Sequence, residues 1–315
     1  MQVPQRIVSL LAGGTEMLAC LGLLDEIKGI SHECDYPPAI AGKPVVTRST
    51  LPASLSSTQI DAAVRQQLEE GESLYQLDVE EICRIDPDLV ITQAQCDVCA
   101  VRYQDVMELV ESRLSLASTT VLALNPTSLE EVMQDILRVG RTAGRLDRAE
   151  QLVKELQQRL LVVEQQVRGK PRPRVACIEW IEPIMLAGNW VPDLVSTAGA
   201  ESLLAEVGVE SAYFNWQNIV ELDPEVIVIA PCGFNLQRSL EEAAGMPGWD
   251  HWNELSAVRN KRVFVLDGNA LLNRPGPRVV DTIELLARLF HPDDSAAPGD
   301  EGSRQTLWDQ LGSRV

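Results

Sequence analysis

Ile82-Cys83-Arg84-Ile85-Asp86-Pro87-Asp88-Leu89-Val90-Ile91 and Ile219-Val220-Glu221-Leu222-Asp223-Pro224-Glu225-Val226-Ile227-Val228 follow one pattern twice. Each stretch closes an apolar helical segment at Asp-Pro, adds an acidic residue and enters a short apolar run of buried-strand character. Between the copies, Thr127-Ser128-Leu129-Glu130-Glu131 reads as a helix start, a hydroxyl followed at capping-box spacing by Glu. Val132, Ile136 and Leu137, then Leu152, Leu156, Leu160 and Val163, recur at helical spacing on either side of a break near Gly144-Arg145-Leu146-Asp147. The segment from Asp147 to Val167 has no internal Gly or Pro, so as a helix it would be about 30 Å long. Arg168-Gly169-Lys170-Pro171 stops it. This spacing predicts an α/β protein of two Rossmann-like lobes joined by a single long helix. The lobes are expected at 1–125 and 171–292, with the connecting helix at 126–170 and a mobile tail at 293–315, where Asp, Ser, Gly and Pro accumulate.

A chain of 315 residues, 45% hydrophobic, has room for two packed cores. Its formal net charge of −19 argues against nucleic acid or an anionic membrane surface as partner. No apolar run approaches the roughly 18 residues of a membrane span. Met1-Gln2-Val3-Pro4-Gln5-Arg6-Ile7-Val8 passes straight into a strand without the charged and apolar regions of a signal peptide, so a cytoplasmic location is expected. Seven cysteines, an odd number, then read as reduced thiols rather than a disulfide framework. Cys20, Cys83 and Cys177 lie in apolar periodic segments, whereas Cys34, Cys96, Cys99 and Cys232 lie in loops just after strands.

Ligands of open α/β lobes bind beyond the carboxyl ends of the strands. Those ends are expected to carry Ala12-Gly13-Gly14, read as a turn before a helix opening at Thr15-Glu16, then His32 to Tyr36, Cys96 to Cys99, Trp180, Cys232 and Asn273 to Arg278. Gly14 and Thr15 would offer close backbone approach and free helix N–H groups. Six Trp stand against four Phe, and Trp180, Trp190 and Trp216 cluster in the second half, as suits a large, partly apolar ligand. Glu179 and Glu182 flank Trp180 as a possible acid–base pair, though carboxylates at strand ends are more often solvated. No Ser-His-Asp or phosphate-loop pattern points to a particular enzyme.

The run Ser9-Leu10 through Thr15-Glu16 to Leu21-Gly22, with Asp35-Tyr36-Pro37-Pro38 after the second strand, resembles the helical-backbone substrate-binding proteins of ABC importers. Asp35-Tyr36-Pro37-Pro38 is similar to the second-strand loop of the vitamin B12-binding branch. The resemblance covers about residues 5–290. It implies a ligand cleft between two lobes, a corrinoid such as cobalamin as ligand, and Tyr36 lining its pocket. Trp180, Trp190 and the Asn273–Arg278 loop would hold the macrocycle, Arg274 and Arg278 meeting its amide or phosphate oxygens, with Gly14, Thr15, Glu179 and Trp216 completing the candidate set. It also implies permease docking through one acidic residue on each lobe. Glu80 fits the first position, but Gln217 stands at the second, so productive docking is doubtful. An iron chelate or haem is the rival ligand.

One departure from that family pattern is His-x-Cys at His32 and Cys34 with Cys-x-x-Cys at Cys96 and Cys99. If the two loops meet at one sheet edge, this set suits Zn²⁺ or an iron–sulfur cluster. Alternatively an imidazole or thiolate touches the ligand's metal, or the residues bind nothing. A metal-site protein or enzyme using the same cleft is thus the competing class.

Overall fold

The computed structural model describes residues 4–94, 98, 100–113, 116–292 and 312–314. The chain divides into two compact units. Met1–Leu55, Gln59–Pro126 and Glu130–Leu156 form the first, and Ser56–Thr58, Thr127–Leu129 and Gln157–Val315 the second.

The first unit contains β1 (Ile7–Ser9), α1 (Ala12–Cys20), β2 (Ile27–Ile30), β3 (Thr47–Ser49), α2 (Ser57–Glu70), β4 (Tyr75–Leu77), α3 (Val79–Ile85), β5 (Leu89–Gln93), α4 (Tyr103–Ser112), β6 (Thr120–Leu124) and α5 (Leu129–Thr142). Its main sheet has the order β2-β1-β5-β6 and every pairing is parallel. All five residues of β5 are buried, which is why its Leu89-Val90-Ile91 start reads as an unbroken apolar run and not as an alternation. β3 and β4 form a separate antiparallel pair. Helix α6 (Leu146–Val167) follows the break at Gly144 and contributes its start to one unit and its remainder to the other.

The second unit continues with β7 (Arg174–Trp180), β8 (Met185–Leu186), α7 (Val191–Thr197), β9 (Glu201–Ser202), β10 (Ala212–Tyr213), α8 (Trp216–Leu222), β11 (Val226–Ile229), α9 (Leu236–Ala243), α10 (Ser256–Arg259), β12 (Val263–Leu266), α11 (Val279–Phe290) and β13 (Gly312–Arg314). β7, β11 and β12 are parallel neighbours. β8 runs antiparallel to β7, and β13 runs antiparallel to β12. Residues 312–314 thus pair with the sheet inside the segment read as a mobile tail.

The repeat in the sequence is a repeat in space. α3 and α8 are both seven residues long, and each ends on an aspartate in the left-handed region, Asp86 at φ 51° and Asp223 at φ 41°. The following Pro87 and Pro224 prevent the helix from continuing. The acidic residue next in line has a definite task in each lobe. Asp88 accepts the Arg6 N–H at 3.0 Å just before β1, and its own N–H returns to the Arg6 carbonyl. Glu225 accepts the Arg174 N–H at 3.0 Å at the start of β7, with the same return bond. The two arginines complete the hook, Arg6 donating to the Asp86 carbonyl and Arg174 to the Asp223 carbonyl. Helix C-termini leave carbonyls without partners, and a guanidinium satisfies them while opposing the helix dipole. The Asp-Pro-acidic pattern therefore fastens a helix end to the first strand of its lobe.

Candidate functional site

In the first lobe the carboxyl ends of β1, β2, β5 and β6 share one edge because the sheet is parallel. Ala12, Gly13 and Gly14 are not a turn but the first residues of α1. A Cβ on Gly14 would lie 2.7 Å from Ile91 Cγ2, so this glycine permits close helix–sheet packing. Thr15 is fully buried, and its hydroxyl donates to Ser9 Oγ at 2.8 Å and lies 3.1 Å from Cys34 Sγ. Gly14 and Thr15 thus join α1 to the sheet, and Cys34 turns back toward them. Tyr36, by contrast, keeps 41% of its surface exposed.

His32 is held in another direction. Its Nδ1 lies 2.6 Å from Thr47 Oγ1, its Nε2 lies 3.2 Å from Glu33 Oε1, and its ring centroid is 5.5 Å from that of Tyr75. His32 Nδ1 thus faces Thr47 of β3, whereas Cys34 Sγ faces Thr15 of α1. Cys96 and Cys99 lie outside the described residues. Among the described residues no group of three or more His, Cys, Asp and Glu is assembled to hold a metal ion, so the zinc or iron–sulfur expectation gains no support.

The second lobe presents a better defined set. β7 ends at Glu179-Trp180, and β11 leads into Ala230-Pro231-Cys232-Gly233-Phe234. Cys232 N–H donates to the Glu179 carbonyl at 3.0 Å, which pins this loop beside the end of β7. The Trp180 and Phe234 rings pack with centroids 5.2 Å apart, and the Arg238 guanidinium carbon lies 3.8 Å from the Phe234 centroid. On the other side of the loop, Asn273 Nδ2 donates to the carbonyls of Ala230 at 2.8 Å and Gly268 at 3.0 Å. Those two acceptors fix which way the amide faces, since its oxygen in their place would meet two carbonyls. Asn273 Oδ1 and Trp180 Nε1 are both buried without a hydrogen-bond partner. Inside β7, burial and the neighbouring Glu179 push the Cys177 thiol up to about 12.

The remaining candidates divide. Trp190 is buried and its Nε1 donates to the Leu272 carbonyl at 2.8 Å, so it braces the loop that carries Asn273. Trp216 joins Trp249 and Trp252, at centroid distances of 4.9 and 6.0 Å, and donates to the Asp250 carbonyl. It belongs to this aromatic cluster and not to the Trp180 group. Arg274 is buried and donates to Asn269 Oδ1 at 2.8 Å, while Arg278 is half-buried at the start of α11. Phe234, Arg238 and Gly268 were not expected from the sequence; a loop after a strand marked by Pro231-Cys232-Gly233 was the available signal. Glu80 and Gln217 occupy the same second position of α3 and α8, both exposed, so the acidic residue in one lobe has a neutral counterpart in the other.

Comparison with known proteins places the chain in a group. It is 25% identical over 297 residues to an uncharacterized ABC transporter substrate-binding lipoprotein, YvrC, of Bacillus subtilis, covering 92% of this chain and 81% of that one. It is 24% identical over 299 residues to a cobalamin-binding protein of Halobacterium salinarum, covering 91% and 70%. A crystal structure of a periplasmic heme binding protein from Pseudomonas aeruginosa superposes with a TM-score of 0.70 at 22% identity, covering 94% and 96%. The names of these relatives lend no support to a cytoplasmic location. The family model described as periplasmic binding protein matches residues 7–270, and the chain belongs to that family.

Proposed function

We propose that the chain binds a corrinoid of the cobalamin type through loops at the carboxyl ends of its strands. The observation that carries this reading is two of the second lobe's unpartnered buried atoms, an indole N–H at Trp180 and an amide oxygen at Asn273, that flank the loop after β11. A buried polar atom left unbonded costs about 1–3 kcal/mol, which a ligand supplying the missing partner recovers. Here they are one donor and one acceptor beside the same short loop. A carboxamide supplies the complementary acceptor and donor together. Corrinoids carry a rim of carboxamides, whereas haem carries carboxylates, which offer no proton to Asn273 Oδ1. The half-buried face of Trp180 supplies aromatic surface for a flat macrocycle. The relatives named as cobalamin-binding support the same ligand.

Delivery to a permease is proposed to be weak. A charge-assisted hydrogen bond at an interface is worth about 1.5–3 kcal/mol, and Gln217 forgoes that charge on one lobe. Gln217→Glu is expected to strengthen docking on a corrinoid importer reconstituted in membranes, and an unchanged affinity would argue that docking uses other residues. The ligand itself is tested by adding hydroxocobalamin and haemin separately and following absorbance and melting temperature. Saturable binding of hydroxocobalamin with a raised melting temperature is expected; absence of any response to it overturns the proposal.

A further inference from the structure

At the amino ends of the first lobe's strands, on the sheet edge opposite the candidate ligand loops, lies a cleft of about 550 Å³. It is lined by four cations, Arg6, Lys28, Lys43 and Arg84, over an apolar base that includes Ile27 and Ile85. In a chain of net charge −19 this concentration is unusual. The four are not equivalent. Arg84 is paired with the Glu81 carboxylate through two nitrogens, and Arg6 with Asp86. The two lysines instead donate to backbone carbonyls, Lys28 to Asp25 at 2.6 Å and Lys43 to Ile27 at 2.8 Å. An ammonium has three donors, so one such bond leaves most of its capacity unused.

Lys43 is also electrostatically uncomfortable. Burial and then the charge of Lys28 lower its pKa, while Asp25 and Glu26 act in the opposite sense. The Lys28 charge thus adds to burial in making the Lys43 ammonium harder to hold in the charged form, a condition that a bound anion relieves. We propose that this cleft is an oxyanion site for a small phosphate-bearing ligand, with the Lys28 and Lys43 ammonium groups as its principal contacts. Arg6 and Arg84 stand beside it with their carboxylate partners, limiting the attraction to short range, and the acidic remainder of the chain opposes it further. Binding is therefore expected only in the millimolar range and to weaken with salt, whose screening length is about 10 Å at 0.1 M.

The site is tested by calorimetric titration of the full chain with inorganic phosphate at low ionic strength. A charged hydrogen bond removed from such a site lowers affinity about tenfold, so Lys28→Gln and Lys43→Gln are each expected to weaken phosphate binding by that order. Lys28 is exposed, so its variant is expected to fold as the parent does even if Lys43→Gln does not. Hydroxocobalamin binding should be unchanged in Lys28→Gln, because Lys28 lies near the amino end of β2 and not in the carboxyl-end loops proposed to hold the ligand. No heat of binding with wild type, or undiminished binding in Lys28→Gln, overturns the proposal.

Discussion

Replacing Gly268 by Ala tests whether the second-lobe site is as tightly built as its distances imply. The added methyl would lie 2.0 Å from the Pro231 carbonyl oxygen and 2.7 Å from the Ala230 and Pro231 carbonyl carbons. All three are backbone atoms, and their loop is tied down by Ala230 N–H to the Ile178 carbonyl and Cys232 N–H to the Glu179 carbonyl. No flexible side-chain end can give way, so the loop itself must retreat by more than an ångström. Overpacking of this kind costs about 1–3 kcal/mol, and a backbone clash belongs at the upper end. For a unit of this size each kcal/mol lowers the melting temperature by about 2–4 °C, which gives a fall of about 6–12 °C by calorimetry. Ligand affinity should fall with it, since the same loop positions Trp180 and Asn273. Gly245→Ala is the control, because a Cβ there meets nothing within 4 Å at an ordinary φ. It is expected to be neutral or stabilising by up to about 1 kcal/mol. Equal melting temperatures for Gly268→Ala and wild type would refute the reasoning.

Three further outcomes follow from individual residues. The Ser256 hydroxyl and N–H hold the Asp223 carboxyl below its ordinary value of 3.8, so its stabilising effect is present at neutral pH and lost as pH falls through the lowered folded value. The group is largely solvated, so Asp223→Asn should cost no more than about 1 kcal/mol, and denaturant titrations of the two proteins should differ above pH 4 and converge in stronger acid. With its thiol pushed up to about 12, Cys177 should resist a disulfide reagent at pH 8 until the chain is unfolded, as read by mass spectrometry of the labelled peptides. Trp180→Phe keeps an aromatic ring while removing the N–H, and should weaken hydroxocobalamin binding about tenfold in a fluorescence titration with little change in melting temperature.

The architecture was legible because its decisive signals are local. Asp-Pro blocks a helix wherever it stands, and the offset between Asp86-Pro87 and Asp223-Pro224 declared two lobes before any contact was known. Helix α11 and strand β7 each follow a mostly apolar run whose local pattern determines them. The strands β3 and β4 escaped notice because they are three residues long and half polar, made only by pairing with each other. The site was less legible for a related reason. Sequence locates Gly14, Thr15 and Cys34 near a strand end, but only packing against Ile91 and Ser9 turns them inward. Trp180, Trp190 and Trp216 look alike as letters, but the Leu272 and Asp250 carbonyls accept from the indole N–H of Trp190 and Trp216, while the Trp180 N–H has no acceptor. Asn273 was expected only as part of a loop; its orientation between two carbonyls is a tertiary fact.

The central claim is that this chain reads carboxamides on a flat macrocycle. It is tested most directly by tryptophan-fluorescence titration with two corrinoids that differ only at the rim, one bearing carboxamides and one the corresponding carboxylates. The account predicts saturable quenching by the amide form and affinity at least about tenfold lower for the carboxylate form, which cannot donate to Asn273 Oδ1. Equal affinity for the two forms, or tighter binding of the carboxylate, would contradict it.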